Sequence, residues 1–236
     1  MTVIGINDAP SAQNDVGVIT EDATLTVTNG SDATLTGTYD ATGENSGDLI
    51  DTSSSSHTDS DSDASASLSI TQIKKSGGSN SAVGIGSSYN SSGTQVTGTY
   101  GTLTIGADGS YTYAATQDAA DVLDVGESAT DVFVYTLSDG TATTTANLTI
   151  TILGANDAPV ANNDAGVIVE DGTLTVSNGS NANVTGDYDA TGEHSGDILD
   201  TSAASADTDV DVETLTVTAI RLSLIHISEP TRLTSI

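Results

Sequence analysis

The chain has 236 residues, of which 33 are acidic and 4 basic, giving a formal charge of −29. That sign argues against nucleic acid and anionic membrane surfaces as partners, because both recruit Lys/Arg-rich faces. Aromatic residues make up 3% of the chain and cysteine is absent, so no disulfide staples the fold. No stretch approaches the ~20 apolar residues of a membrane span, so no membrane insertion is expected.

A chain this polar has the composition of a disordered one, but its apolar residues alternate, and that pattern predicts strands. Thr24-Leu25-Thr26-Val27-Thr28 alternates strictly, and so does Ser67-Leu68-Ser69-Ile70-Thr71. Residues 74–98 are rich in Gly, Ser and Asn and read as a long mobile loop or an irregular hairpin. Gly101-Thr102-Leu103-Thr104-Ile105 and Ser110-Tyr111-Thr112-Tyr113 flank the turn signal Asp108-Gly109, which predicts a hairpin. The one helix candidate is 117–125, where Ala119, Ala120, Val122 and Leu123 would make one or two amphipathic turns. Residues 131–137 place Phe133, Tyr135 and Leu137 on one face, Asp139-Gly140 turns the chain, and 146–152 alternates again. Short strands separated by turn signals predict an all-β fold, an Ig-like sandwich with Tyr135 as a core or corner tyrosine.

The chain repeats itself. Asn7-Asp8-Ala9-Pro10 returns as Asn156-Asp157-Ala158-Pro159, and thirty-five of the fifty positions in 7–56 are identical in 156–205. Gly17-Val18-Ile19 with Glu21-Asp22 returns as Gly166-Val167-Ile168 with Glu170-Asp171, and the block 39–44 returns at 188–193. The expected organisation is the end of a preceding repeat at 1–6, one complete repeat at 7–155, part of a second at 156–220, and an unrelated tail at 221–236. Thr2-Val3-Ile4-Gly5 aligns with Thr151-Ile152-Leu153-Gly154, so the chain is expected to open inside a last strand. Residues 222–232 read as the translation of a transposase-type sequencing adapter, and the tail is set aside on that ground.

The junction Gly154-Ala155-Asn156-Asp157-Ala158-Pro159 is one of four pieces that carry a family resemblance. The others are Gly166-Val167-Ile168 with Glu170-Asp171, the run from Tyr100 through Tyr113, and Asp131-Val132-Phe133-Val134-Tyr135-Thr136-Leu137-Ser138-Asp139-Gly140. In this order and spacing the chain resembles the VCBS-type, cadherin-like tandem repeats of large RTX-type bacterial adhesins exported by type I secretion. The resemblance covers 2–220. It implies sandwiches strung in tandem on a cell surface, acting as spacers or adhesive stalks in attachment and biofilm. Residues 29–66 are longer and richer in Ser and Asp than the pattern.

Two groups of oxygen-bearing residues, mostly acidic, are candidate Ca²⁺ ligands, since Ca²⁺ takes six to eight oxygens from carboxylates, amides and carbonyls. The first is Asn7, Asp8, Asp15, Glu21 and Asp22, with counterparts Asn156, Asp157, Asp164, Glu170 and Asp171. Loops at one pole of the sandwich would bring them together. The bland reading is a turn motif in which Asn and Asp bond local backbone. The second is Asp59, Asp61 and Asp63, matched loosely by Asp207, Asp209 and Asp211. Its D-x-D-x-D spacing fails as an EF-hand, because the sixth position is Ala64 and the twelfth Ile70, and a solvated acidic turn competes with a looser Ca²⁺ loop.

Nothing in the chain reads as a catalyst. His57 and His194 are not kept between the repeats and His226 lies in the tail, which is poor ground for a Zn²⁺ site or a general base. There is no nucleophile elbow and no phosphate-binding glycine loop. The expected function is a Ca²⁺-stiffened structural module outside the bacterial cell, partnered by neighbouring repeats of the same chain. The second reading is a module that binds cell-surface or matrix glycans through the 74–98 loop with Tyr89 and Tyr100.

Overall fold

A computed structural model describes residues 5–30, 35–36, 45–50, 57–63, 66–177, 184–186, 197–199 and 206–220. The 39–44 and 188–193 blocks, residues 2–4, His194 and the tail from Arg221, with its adapter-like 222–232, lie outside the described residues. The chain divides into two units, Met1–Ala158 and Pro159–Ile236.

The first unit is built from β1 (Asp15–Thr20), β2 (Thr24–Val27), β3 (Leu35–Thr36), β4 (Ser69–Lys75), β5 (Ser81–Ala82), β6 (Thr94–Thr97), β7 (Thr102–Ile105), β8 (Tyr111–Ala114), β9 (Ser128–Ser138) and β10 (Thr143–Leu153). They form two five-stranded sheets, ordered β1-β10-β9-β4-β5 and β3-β2-β8-β7-β6. All pairs are antiparallel except β1 with β10, which run parallel with Asp15 opposite Leu148 and Thr20 opposite Leu153. The fold is an all-β, Ig-like sandwich.

Alternation places the core. Phe133, Tyr135 and Leu137 of β9 and Leu148, Ile150 and Ile152 of β10 are fully buried. They meet Leu25, Val27, Leu103, Ile105, Tyr111 and Tyr113 from the other sheet. Each such side chain contributes roughly 1.5–3 kcal/mol by leaving water. The rings of Tyr113 and Phe133 meet edge to face across the layers at 6.1 Å. Gly17 faces this core from β1, and a Cβ there would stand 2.8 Å from Ile150 Cδ1. Glycine leaves room there for the ends of the Ile150 side chain from the neighbouring strand and the Leu25 side chain from the other sheet.

Two local expectations are corrected. Residues 117–125 form no helix. Ala120 N–H bonds to Gln117 O and Leu123 N–H to Ala120 O, so single turns close at three-residue spacing and set Ala120 and Leu123 on the core. Val122 and Val125, which an amphipathic helix would have used, are exposed. The strand predicted at 67–71 runs on to Lys75, because the register shifts between Ile70 and Gln72 opposite Leu137 and Thr136. That bulge puts Ile70 and Ile73 both inside, three residues apart, and ends the alternation that marked the strand. Beyond it, 76–93 is an irregular excursion pinned by short bonds. Val83 N–H reaches Thr71 O, and the Ser87 hydroxyl takes Ala107 N–H and donates to Gly84 O.

The second unit contributes β11 (Leu174–Val176) and β12 (Val184–Gly186), an antiparallel pair. Residues 164–169, the counterpart of β1, are exposed: Ile168 is 50% accessible where Ile19 is 0%. The Glu-Asp turn is nevertheless the same in both units. Asp22 and Asp171 sit in the left-handed region at φ 57° and 62°, a conformation that Asp tolerates better than most residues.

Candidate metal centre

Residues 5–14 cross one end of the first sandwich, here called the leading end, before feeding β1. There they meet 57–63 through a two-way backbone bridge between Ser11 and Ser60. Around this bridge the carboxylates are held by short bonds. Gln13 N–H donates to Asp59 Oδ1 at 2.8 Å, and Asp8 N–H to Asp63 Oδ2 at 2.9 Å. Asp63 N–H donates to Asp61 Oδ1 at 2.7 Å, and the Ser62 hydroxyl to Asp8 Oδ2 at 2.9 Å. Asp59 is buried. Asp61 Oδ2 is closed off from solvent and accepts no hydrogen bond. The Asn7 amide donates to its neighbour's carbonyl and, at 2.9 Å, to Asp139 Oδ2 in the β9–β10 turn. Asp139 also takes the N–H groups of Ala142 and Thr141, and these bonds with that from Asn7 hold its carboxyl below the usual range.

The second unit repeats this arrangement in its own residues. Val160 bridges Thr208, Asn162 N–H donates to Asp207 Oδ1 at 2.8 Å, and Asp211 N–H to Asp209 Oδ1 at 3.1 Å. Asp209 Oδ2, like Asp61 Oδ2, is enclosed without a hydrogen-bond donor. Oxygens of Asp209, Asp211 and Glu213 lie within 4.8 Å of one another. Sequence reasoning missed Glu213, whose counterpart in the first repeat is Ser65; D-x-D-x-D-x-E was the available signal.

The first group of candidates does not assemble at one pole. Six residues of β1 separate Asn7 and Asp8 from Glu21 and Asp22, about 20 Å at the rise of an extended strand. Glu21 is buried at the trailing end, where Leu153 O accepts its N–H and its carboxylate accepts Ala155 N–H. Asp22 N–H bonds to Ala115 O, so the Glu-Asp pair is a turn that locks the last strand. Asn156 bonds the carbonyl of Asp157 just beyond that strand, in the manner of Asn7 and Asp8. Asp164, Glu170 and Asp171 are exposed.

Asp15 is spoken for by the core. The Tyr135 hydroxyl donates to its Oδ2 at 2.7 Å and the Ser46 hydroxyl to its Oδ1 at 3.0 Å. Burial pushes its carboxyl up to about 7; the Tyr135 and Ser46 bonds pull back, Asp59 adds to the rise and His57 opposes it. Tyr135 also donates to Gln13 O and so anchors the segment that leads into β1. His57, which sequence reasoning left without a role, contacts Asn14 O through Nδ1. Tyr100, a proposed glycan contact, is half-buried and packs against the core.

Residues 7–154 match the bacterial cadherin-like domain. The chain belongs to this family. It has no match among curated proteins. The cadherin-like domain thus starts at the Asn7-Asp8 turn and ends at the strand that Glu21 locks. Its leading-end donors are all oxygens, mostly carboxylate, which suits a hard divalent cation such as Ca²⁺ and not a thiolate- or imidazole-seeking metal. The enclosed and undonated Asp61 Oδ2 fits that group. Among the described residues, Asp209, Asp211 and Glu213 are the carboxylates brought within 4.8 Å of one another and would hold the ion in the second repeat; Asp61 and Asp63 are the first-repeat counterparts of Asp209 and Asp211 and form no such group there. A bound Ca²⁺ would neutralise carboxylates that otherwise repel.

Proposed function

We propose that the chain is a structural, non-catalytic repeat of a bacterial surface adhesin, stiffened by Ca²⁺ and partnered by neighbouring repeats in cell adhesion and biofilm. The observation that carries this reading is the duplicated carboxylate loop: the same backbone bridge and the same Asp-to-backbone bonds are built twice, from 11–13 with 59–63 and from 160–162 with 207–211. A merely solvated acidic face has no need to keep both the spacing and the bonds. An adhesin crosses the cell envelope unfolded and becomes a rod outside, where Ca²⁺ is plentiful. Carboxylates that repel in its absence and bind it when folded couple rigidity to arrival. Binding to the folded state alone contributes about 2.7 kcal/mol at a hundredfold excess over Kd.

The test is thermal unfolding of the chain with Ca²⁺ and with chelator. Ca²⁺ raises Tm, and Asp61→Asn with Asp63→Asn removes most of the rise while leaving the chelated Tm nearly unchanged. A Tm indifferent to Ca²⁺ at millimolar concentration overturns the reading and leaves the loop a turn.

A further inference from the structure

Asn29-Gly30 turns the chain just after β2. Asn29 is exposed, and its amide nitrogen donates to the backbone carbonyl of Asp108 in the β7–β8 turn. Gly30 has φ 114°, and nothing lies within 4 Å of where a Cβ would stand. Its N–H points at the buried Asp48, donating to Oδ2 at 2.7 Å. An amide carbon, an unhindered backbone nitrogen one residue on, and a carboxylate on that nitrogen's proton are the three components of imide formation. The same three residues recur in sequence as Asn178, Gly179 and Asp197.

We propose that Asn29-Gly30 is a self-modification site, at which the chain deamidates through a succinimide with Asp48 as the base. Asp48 Oδ2 takes the proton from Gly30 N, and the nitrogen attacks Asn29 Cγ. The N–Cγ bond forms, the Cγ–Nδ2 bond breaks, and the proton leaves with the nitrogen as ammonia. Water then opens the imide at either carbonyl, giving Asp or an isoaspartyl link at position 29. One water is consumed, one ammonia is released, and nothing is oxidised or reduced. The separation of 2.7 Å is within the reach a general base requires. The product replaces a donor by a carboxylate against the Asp108 carbonyl, so the tie between the end of β2 and the β7–β8 turn is lost.

The experiment holds the full chain in mildly alkaline buffer, folded or in urea, and follows each asparagine by peptide mass mapping and isoaspartate detection. Asn29 in the folded chain modifies faster than the exposed Asn80 and Asn90, each followed by serine, and faster than it does itself in urea. Asp48→Asn keeps an acceptor for the Gly30 N–H and slows Asn29 by about a hundredfold, the low end of what a positioned base supplies. Equal rates at Asn29, Asn80 and Asn90 overturn the proposal, as does a rate at Asn29 that rises in urea or is unmoved by Asp48→Asn. The urea comparison decides the matter on the unaltered chain if the variant fails to fold.

Discussion

The hydroxyl of Tyr135 on β9 donates to Asp15 on β1 at 2.7 Å, and both residues are buried. The pair skips β10, the strand lying between them in the sheet, and couples a core aromatic to the segment that crosses the leading end.

Asp15 makes stability fall with rising pH. Its carboxyl is raised to about 7 in the folded chain, so the folded state holds the proton more tightly than the unfolded one. Its contribution is full below the ordinary carboxylate range and is lost between there and about pH 7, at no more than about 1.4 kcal/mol per pH unit. Asp59, His57 and Tyr135 are the titratable groups that act on it. Urea unfolding across this window should show the decline in the parent chain and a flatter profile in Asp15→Asn.

Asp131 works in the opposite direction. Burial alone would raise its carboxyl, but the N–H of Thr99, the Tyr113 hydroxyl and the N–H of Tyr100 together hold it below the usual range. Its contribution is present above the ordinary carboxylate pKa and is lost as pH falls through the lower folded value. Asp131→Ala takes the acceptor from the buried Tyr113 hydroxyl and from the more exposed Thr99 and Tyr100 N–H groups, and should cost about 1–3 kcal/mol at neutral pH. Denaturant unfolding measures the loss, and acid titration should show the variant without the parent's steep low-pH limb.

Gly17→Ala tests the packing of the core against β1. The new methyl would meet Ile150 Cδ1 at 2.8 Å and Leu25 Cδ2 at 3.1 Å, so overpacking should cost about 1–3 kcal/mol. Gly166→Ala, at the exposed counterpart, should leave the melting of the first unit unchanged.

Glu21→Ala should fray the last strand. Ala155 N–H loses its acceptor, and hydrogen exchange at 153–155 should accelerate more than at the centre of β10. Glu170→Ala should change exchange nowhere in the first unit; acceleration at 153–155 from that variant would show that Glu21 is not the local lock.

Much of this architecture was legible in the sequence because strand alternation is local. The faces of β9 and β10 and the Asp108-Gly109 hairpin follow from side-chain order alone. The bulge at Ile70 was not legible, because a shifted register is a property of two strands and not of one. The helix expected at 117–125 failed because apolar residues set every three and every four positions look alike over so short a segment. At the site, the D-x-D-x-D loop was visible as a spacing. The separation of Asp8 from Glu21 depended on β1 being extended between them, and the partners Asp48, Asp131 and Asp139 announce themselves only through distant groups they bind, backbone N–H for the first two and the Asn7 side-chain amide for the third.

The parallel pairing of β1 with β10 also fixes how the domain would answer a pull on its two ends. The chain runs into β1 at the leading end and out of β10 at the trailing end, and the two strands are direct neighbours over six residues. Tension applied through the flanking chain therefore draws these strands past each other along their length. Their hydrogen bonds lie across the pull and must yield together, whereas a hairpin pulled from its open end would peel one bond at a time. A stalk made of such units would resist stretching at its terminal strands, with Gly17 set in the middle of the strand that bears the force.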